Sequence, residues 1–301
     1  MPAASGGRSP IRERVPVGRL RSSRRPPTRV RVTGTRYVQA VLTVNRLADA
    51  LTHQTDGVLA LAHGADLDRR VPTCPDWDLR ELLRHIGRSH RFAADTVRRR
   101  VAGPGESIAP TGIPAPDEAA ALEEWLAAGS RELLDTVDAA GADRPVWNFS
   151  GQNQQAWFWL RRMAHETAVH RADVALTLDA PYEADAELAA DGISEWLALL
   201  TSPGAAAGRP EMLRQLHGQG QTLHLHATDS PGLGAAGEWL IRRGPDAVAY
   251  SHDHRKADVA VRGAAGDLLL AILGRITPPD DRIEVLGDAD LFAHWQRHVA
   301  F

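Results

Sequence analysis

Apolar residues recur at helical spacing through most of the first two thirds of the chain and at strand spacing through much of the last third. From Tyr37 to Ala62 the positions Val41, Val44, Leu47, Leu51, Val58, Leu59 and Leu61 step by threes and fours with breaks, which predicts a first helix. Val71 to Trp77 holds two prolines and leads into Asp76, Trp77 and Asp78, an acidic helix start. The second helix is expected from there to about Val101, with Leu79, Leu82, Leu83, Ile86, Ala93 and Val97 as its core stripe and His85 at the stripe's edge. Gly103 to Pro116 has too much Gly and Pro to be regular. Asp117 is then the expected cap of a third, amphipathic helix reaching about Ala140 through Leu122, Trp125, Leu126, Leu133, Leu134 and Val137. A fourth helix is expected from about Ala156 to Leu178 and a fifth from about Glu183 to Leu200, with Ser202 to Arg209 (SPGAAAGR) as a linker.

Beyond residue 215 the period becomes two. Thr222 to Thr228, Glu238 to Arg242, Ala247 to Tyr250 and Asp258 to Val261 read as strands of an antiparallel sheet. Gly266 to Arg275 and Asp290 to Val299 read as helices, with Ile283 to Leu286 as a last strand. The expected fold is mainly α: a four-helix bundle at 37–205, then a small α+β domain at 206–301. Residues 1–36, rich in Arg, Pro, Gly and Ser without periodic apolar positions, read as a disordered basic leader.

Composition narrows the partners. With 43% hydrophobic and 24% charged residues the chain is globular, and a formal net charge of −3 offers no footprint for nucleic acid or an anionic membrane. No apolar run is long enough to span a bilayer, and no secretory h-region follows the arginines. The one cysteine, Cys74, forbids an intrachain disulfide and suits a reducing compartment, so the expected location is cytoplasmic and the expected partners are small molecules. Cys74 lies in a Pro-flanked turn with no base identifiable beside it, and packing is the expected role.

The chemically loaded stretch is the fourth helix. Glu166 and His170 stand four apart and project from one face, and a bundle can bring His85 from another helix to meet them. Two imidazoles and a carboxylate leave coordination positions open, as in a catalytic metal site. The same spacing also describes a solvated surface pair, and a histidine at the edge of an apolar stripe also describes a hydrogen-bonded core residue. His165 and His170 are five apart, about 140° out of line on a helix of 3.6 residues per turn, so a zincin-type H-E-x-x-H pair is excluded. Arg171 points about 100° away from His170 and is expected to pair with Asp173 or Glu81, or to lie at the surface. His224 and His226 share one side of a strand, as do His252 and His254, which makes a second metal site conceivable beside the commoner reading of exposed histidines. The tryptophans, among them Trp125, Trp157 and Trp159, are expected in the core or in pocket walls.

The segments VPTCPDWDLRELLRHIG (Val71 to Gly87) and RRMAHETAVHRADVAL (Arg161 to Leu176) together resemble the mycothiol-dependent maleylpyruvate isomerase family. GAAGDLLLAILGR (Gly263 to Arg275) followed by VLGDADL fits the same family more loosely. One departure is visible: Asp76 stands where the family usually has Gly after Cys-Pro. The resemblance implies a DinB-like four-helix bundle with a small C-terminal domain, and a divalent metal, commonly zinc, on His85, Glu166 and His170. It further implies an isomerase or S-transferase in which the open metal position binds the thiol of mycothiol and lowers its pKa, making the thiolate the nucleophile toward a small-molecule electrophile. Arg275 is the candidate clamp for a substrate carboxylate, with a plain helix-terminal arginine as the alternative. A catalytically silent metal- or ligand-binding protein and a metal-dependent hydrolase are the competing readings, and either a monomer or a homodimer is compatible with the chain.

Overall fold

The computed structural model describes residues 42–107, 109–229 and 232–299; the leader expected at 1–36 and the start expected for the first helix at Tyr37 lie outside them. Four long helices form a bundle: α1 (Val44–Ala62), α2 (Leu79–Arg99), α3 (Ala119–Ala140) and α4 (Ala156–Thr177). Each of α1, α2 and α3 buries one stripe, so the helical period places Leu47, Leu51, Leu83, Ile86, Leu126 and Leu133 in the interior with no solvent exposure. Helix α4 is buried nearly all round, which is why it carries polar groups inward: a helix at the centre of a bundle has no solvated face to put them on.

Caps set the starts of α2 and α3 within a residue or two of the expected places, whereas Thr43 caps α1 well after the expected Tyr37 and Asp185 starts the fifth helix later than the expected Glu183. The Asp78 side chain accepts from the Glu81 backbone N–H at 2.8 Å and starts α2. Glu118, not Asp117, caps α3 by accepting from Ala121 N–H at 2.8 Å. Asp117 is spent on an ion pair with Arg84 instead.

After α5 (Ala186–Leu200), capped by Asp185, the segment expected as a linker is two short helices, α6 (Pro203–Gly208) and α7 (Pro210–Leu216). Ser202 caps α6, and Pro203 stands in its first turn. The small residues that suggested a flexible joint serve close packing: Gly204 donates its backbone N–H to Ser150 O at 2.9 Å and lies against the Phe149 carbonyl. A Cβ at position 204 would collide with that carbonyl, which is backbone and has no rotamer to yield. Gly204→Ala is therefore expected to lower stability by about 1–3 kcal/mol in chemical denaturation, as overpacking does. A neutral or stabilising result would show that α6 slides freely over the 148–152 loop.

The remaining chain forms β1 (Thr222–Ala227), β2 (Glu238–Arg243), β3 (Val248–Ser251), β4 (Val259–Gly263), α8 (Ala265–Ile272), β5 (Ile283–Gly287) and α9 (Ala289–Val299). The sheet order is β3-β2-β1-β4-β5. It is mixed, where an all-antiparallel sheet was expected: β1 pairs in parallel with β4, Leu225 opposite Val261, while the other neighbours are antiparallel. Alternation along a strand reports which side chains share a face but carries no information on strand direction. The chain crosses from β3 at one edge to β4 beyond β1 through residues 252–258, and that crossover sets the parallel pair.

Leu223, Leu225, Trp239, Ile241 and Val261 from the sheet share one apolar core with α8, α9 and the α5 residues Ile193, Trp196 and Leu197. Polar bonds reinforce the contact with α5: the Trp239 indole donates to Ser194 Oγ at 2.9 Å, and the Tyr250 hydroxyl to Ser194 O at 3.4 Å. Among the described residues no helix is long and apolar enough to cross a membrane.

Candidate metal centre

Glu166 and His170 face the same way from α4, and His85 meets them from α2. The His85 imidazole bonds through Nε2 to Glu166 Oε1 at 3.0 Å, and His170 Nε2 lies 3.3 Å from the same oxygen. One ligand atom from each of the three falls within 4.8 Å of the other two. The rings of His85 and His170 meet edge to face at 4.9 Å between centroids, with Trp77 tilted against His85 at 4.7 Å.

A second layer of charge fixes these groups. His170 Nδ1–H donates to Asp173 Oδ2 at 2.8 Å, one helical turn on. Asp173 also accepts from the Thr73 hydroxyl at 2.6 Å and from Arg275 through both Nε and Nη2 at 3.2 Å. On the other side Glu166 Oε2 takes Arg162, which also binds Glu195. Burial opposes charge on Glu166, but Arg162 and the two imidazoles outweigh it and hold the carboxyl well below the usual carboxylate range. Burial likewise opposes a proton on His170, yet the bonds to Asp173 and Glu166 lift it to about 9. Asp173, despite its burial, is pulled down to about 2 by His170 and Arg275.

The donor set fits a divalent ion. Two imidazole nitrogens and a carboxylate oxygen converge, and a carboxylate on the far nitrogen of His170 fixes the tautomer that leaves Nε2 free to coordinate, an arrangement common to metal-bound histidines. The centre opens into a cavity of about 810 Å³. Trp77, Phe92 and Trp159 of the bundle form part of its wall, and Met212, Leu269 and Arg275 close it from the C-terminal part of the chain. Such a cavity, mostly apolar with a few convergent charges, has the size and make-up of a small-molecule site.

Arg275 lies in the cavity wall, its guanidinium fastened to Asp173 and to Leu273 O. Arg171 pairs with neither Asp173 nor Glu81; it donates to Gln54 Oε1 at 3.1 Å and packs over the Tyr182 ring. Two positions along a helix do not face each other, Asp173 is already saturated, and Glu81 is taken by Arg88 and Arg84. Cys74 is half-buried in the cavity wall, and burial with the nearby Asp173 charge pushes its thiol up, the reverse of an activated nucleophile. His165 turns away from the centre to Asp191, as the five-residue spacing required. Trp157 and Trp159 are buried, while Trp125 is only partly buried and carries the Arg91 guanidinium on its face.

Sequence spacing did not assign Arg162, Glu195 or Trp77 to the centre, and offered Asp173 only as a support acting through Arg171. Two of them had a signal, since Arg162 is one turn before Glu166 and Asp173 three residues after His170.

Residues 48–175 match the family model of the mycothiol maleylpyruvate isomerase N-terminal domain, and residues 187–294 match that of the MDMPI C-terminal domain. A comparison with curated proteins finds no match. Among solved structures, the crystal structure of the mycothiol-dependent maleylpyruvate isomerase is 14% identical, with a TM-score of 0.47, over 81% of this chain and 93% of that one. A mutant of that protein matches at 14% identity and a TM-score of 0.46 over the same shares. With the two domain models matched in order along most of its length, the chain belongs to the mycothiol-dependent maleylpyruvate isomerase family.

Proposed function

We propose that this protein is a mycothiol-dependent isomerase or S-transferase acting on a small electrophile in the cavity, with His85, Glu166 and His170 holding a divalent metal, zinc by the chemistry of its ligands. The observation that carries the reading is the convergence of those three side chains at a cavity, with Asp173 holding the far nitrogen of His170. The ion, when bound, supplies the positive charge that favours the thiolate form of the cofactor, which serves as nucleophile.

The chain's own residues prepare that site. Arg162 keeps Glu166 ionised and aims its free oxygen at the two imidazoles. Asp173 holds the proton of His170 on Nδ1, away from the coordinating nitrogen. Arg275 spends three of its five N–H groups, on Asp173 through Nε and Nη2 and on Leu273 O through Nη1, which leaves two to orient a substrate carboxylate at the cavity wall. Trp77, Phe92 and Trp159 present apolar surface that excludes water from the reacting groups. A thiol cofactor needs a reducing compartment, and the cytoplasm is the proposed location.

The test is an assay of the purified full chain with mycothiol and maleylpyruvate, and then other electrophiles, before and after metal is stripped by a chelator. Turnover that needs both thiol and metal, restored by adding metal back and absent from His85→Ala, is the expected result. Metal-dependent turnover without thiol would point to hydrolysis, and tight metal binding with no thiol binding would point to a non-catalytic protein; either would overturn the proposal.

A further inference from the structure

A second convergence of histidines lies in the C-terminal sheet. His224 and His226 alternate along β1 and therefore point to the same face. Glu238 on β2 is the direct cross-strand partner of His226, so the antiparallel register places its carboxylate against both imidazoles. His254, three residues past the end of β3, folds back over the same carboxylate. His224 Nε2 reaches Glu238 Oε2 at 2.8 Å, His226 Nδ1 reaches Oε1 at 2.8 Å, and His254 Nδ1 reaches Oε1 at 3.0 Å. One ligand atom from each of His224, Glu238 and His254 lies within 4.8 Å of the other two.

We propose that His224, Glu238 and His254 form a second metal centre, taking a zinc-like divalent transition ion that ties β1, β2 and the segment after β3 together, with His226 holding the Glu238 carboxylate beside it. Three imidazoles, two of them on the same oxygen, are trained on the one carboxylate. Bonds of about 2.1 Å at tetrahedral angles put ligand atoms roughly 3.4 Å apart, a spacing within the 4.8 Å that encloses the ligand atoms of His224, Glu238 and His254. Nitrogen-rich donors with one carboxylate select zinc, nickel or copper over magnesium or calcium. The partners are graded in exposure: the His224 side chain is 7% exposed and that of Glu238 14%, whereas that of His254 is 69% exposed, so the last ligand comes from a segment that an ion can order. His252 assists by bonding through Nδ1 to the Glu238 backbone carbonyl at 2.9 Å, which anchors the same segment.

The experiment counts metal in full-length protein stripped by chelation and reloaded with Zn²⁺ or Co²⁺. His170→Ala removes a ligand of the bundle centre, so any tightly held equivalent that remains reports the second one. The expected result is one equivalent per chain in His170→Ala and none in His170→Ala/His254→Ala, with a rise in melting temperature on Zn²⁺ addition only in the first. His254 is exposed, so its removal leaves the fold intact, and circular dichroism of the two variants should coincide. No equivalent in His170→Ala, or an equivalent that survives both His254→Ala and Glu238→Gln, would overturn the proposal.

Discussion

Asp191→Ala is expected to destabilise the protein by about 3–5 kcal/mol, the cost of removing one partner from a buried charge cluster. Asp191 on α5 has no solvent exposure and is bonded by two side chains from α4. Arg161 donates through Nε to Oδ2 at 2.8 Å and through Nη2 to Oδ1 at 3.0 Å, and His165 bonds through Nε2 to Oδ2 at 2.7 Å. Truncation leaves a guanidinium and an imidazole in the interior without their carboxylate. Against a total stability of roughly 5–15 kcal/mol, that is a large fraction, and the melting temperature should fall by about 6–20 °C.

The effect should also depend on pH in a definite direction. Burial opposes the charge on Asp191, but His165 and Arg161 prevail and hold its carboxyl below the ordinary range. A depressed carboxylate stabilises the fold fully above its unfolded pKa of about 3.9 and loses that contribution as the pH falls. The gap between wild type and Asp191→Ala should therefore be constant near neutrality and close in acid. Replacing the three together, Arg161→Met and His165→Leu with Asp191→Leu, should recover most of the loss, because a well-packed apolar cluster avoids the desolvation cost. A single-variant loss within about 1 kcal/mol would mean that water or a neighbour takes over the role of Asp191.

The bundle was legible because α1, α2 and α3 each bury a stripe, and a stripe is what a helical period records. The Glu166 and His170 pair was legible for the same reason, since four residues on a helix place two side chains on one face. What held His170 in place was not, although Asp173 was in plain view at a helical spacing. The spacing of three is shared by every surface pair, and only the burial of α4 and the arrival of Arg275 from over a hundred residues away distinguish this one. The Arg161 and Asp191 pair shows the same limit, because it joins two helices that the sequence does not align with each other. In the sheet, alternation grouped His224 with His226 correctly but also grouped His252 with His254. The strand ends at Ser251, so nothing holds that second pair to one face: His252 goes to the Glu238 carbonyl and His254 to its carboxylate. Gly204 was misread because small residues signal both a flexible joint and a close approach of two backbones, and only the neighbour decides which.

Metal binding at the bundle centre is expected to expel a proton, with an affinity that rises about tenfold per pH unit through the neutral range. With the ion stripped, Asp173 and Glu166 hold the His170 pKa at about 9 against the opposing effect of burial. At pH 7 that imidazole is therefore charged, and an ion competes with the proton on Nε2. The rise should level off near pH 9, where the proton is already gone. Calorimetric titrations in buffers of different ionisation enthalpy would read the released proton directly. Asp173→Asn separates the two roles of the carboxylate. It removes the anion that makes His170 a strong base, so the His170 pKa drops and the proton penalty at neutral pH shrinks. It also turns the charge-assisted bond that orients the ring into a weaker neutral one, and loss of such outer-sphere support costs up to about 10–100-fold in metal affinity. The deficit of Asp173→Asn should therefore be greatest at pH 9 and above and smaller at pH 7, whereas His170→Ala should lose the ion at this centre at every pH. Parallel affinity profiles for wild type and Asp173→Asn would show that Asp173 leaves the proton on His170 untouched, and the carboxylate would then act only on Arg275 and Thr73.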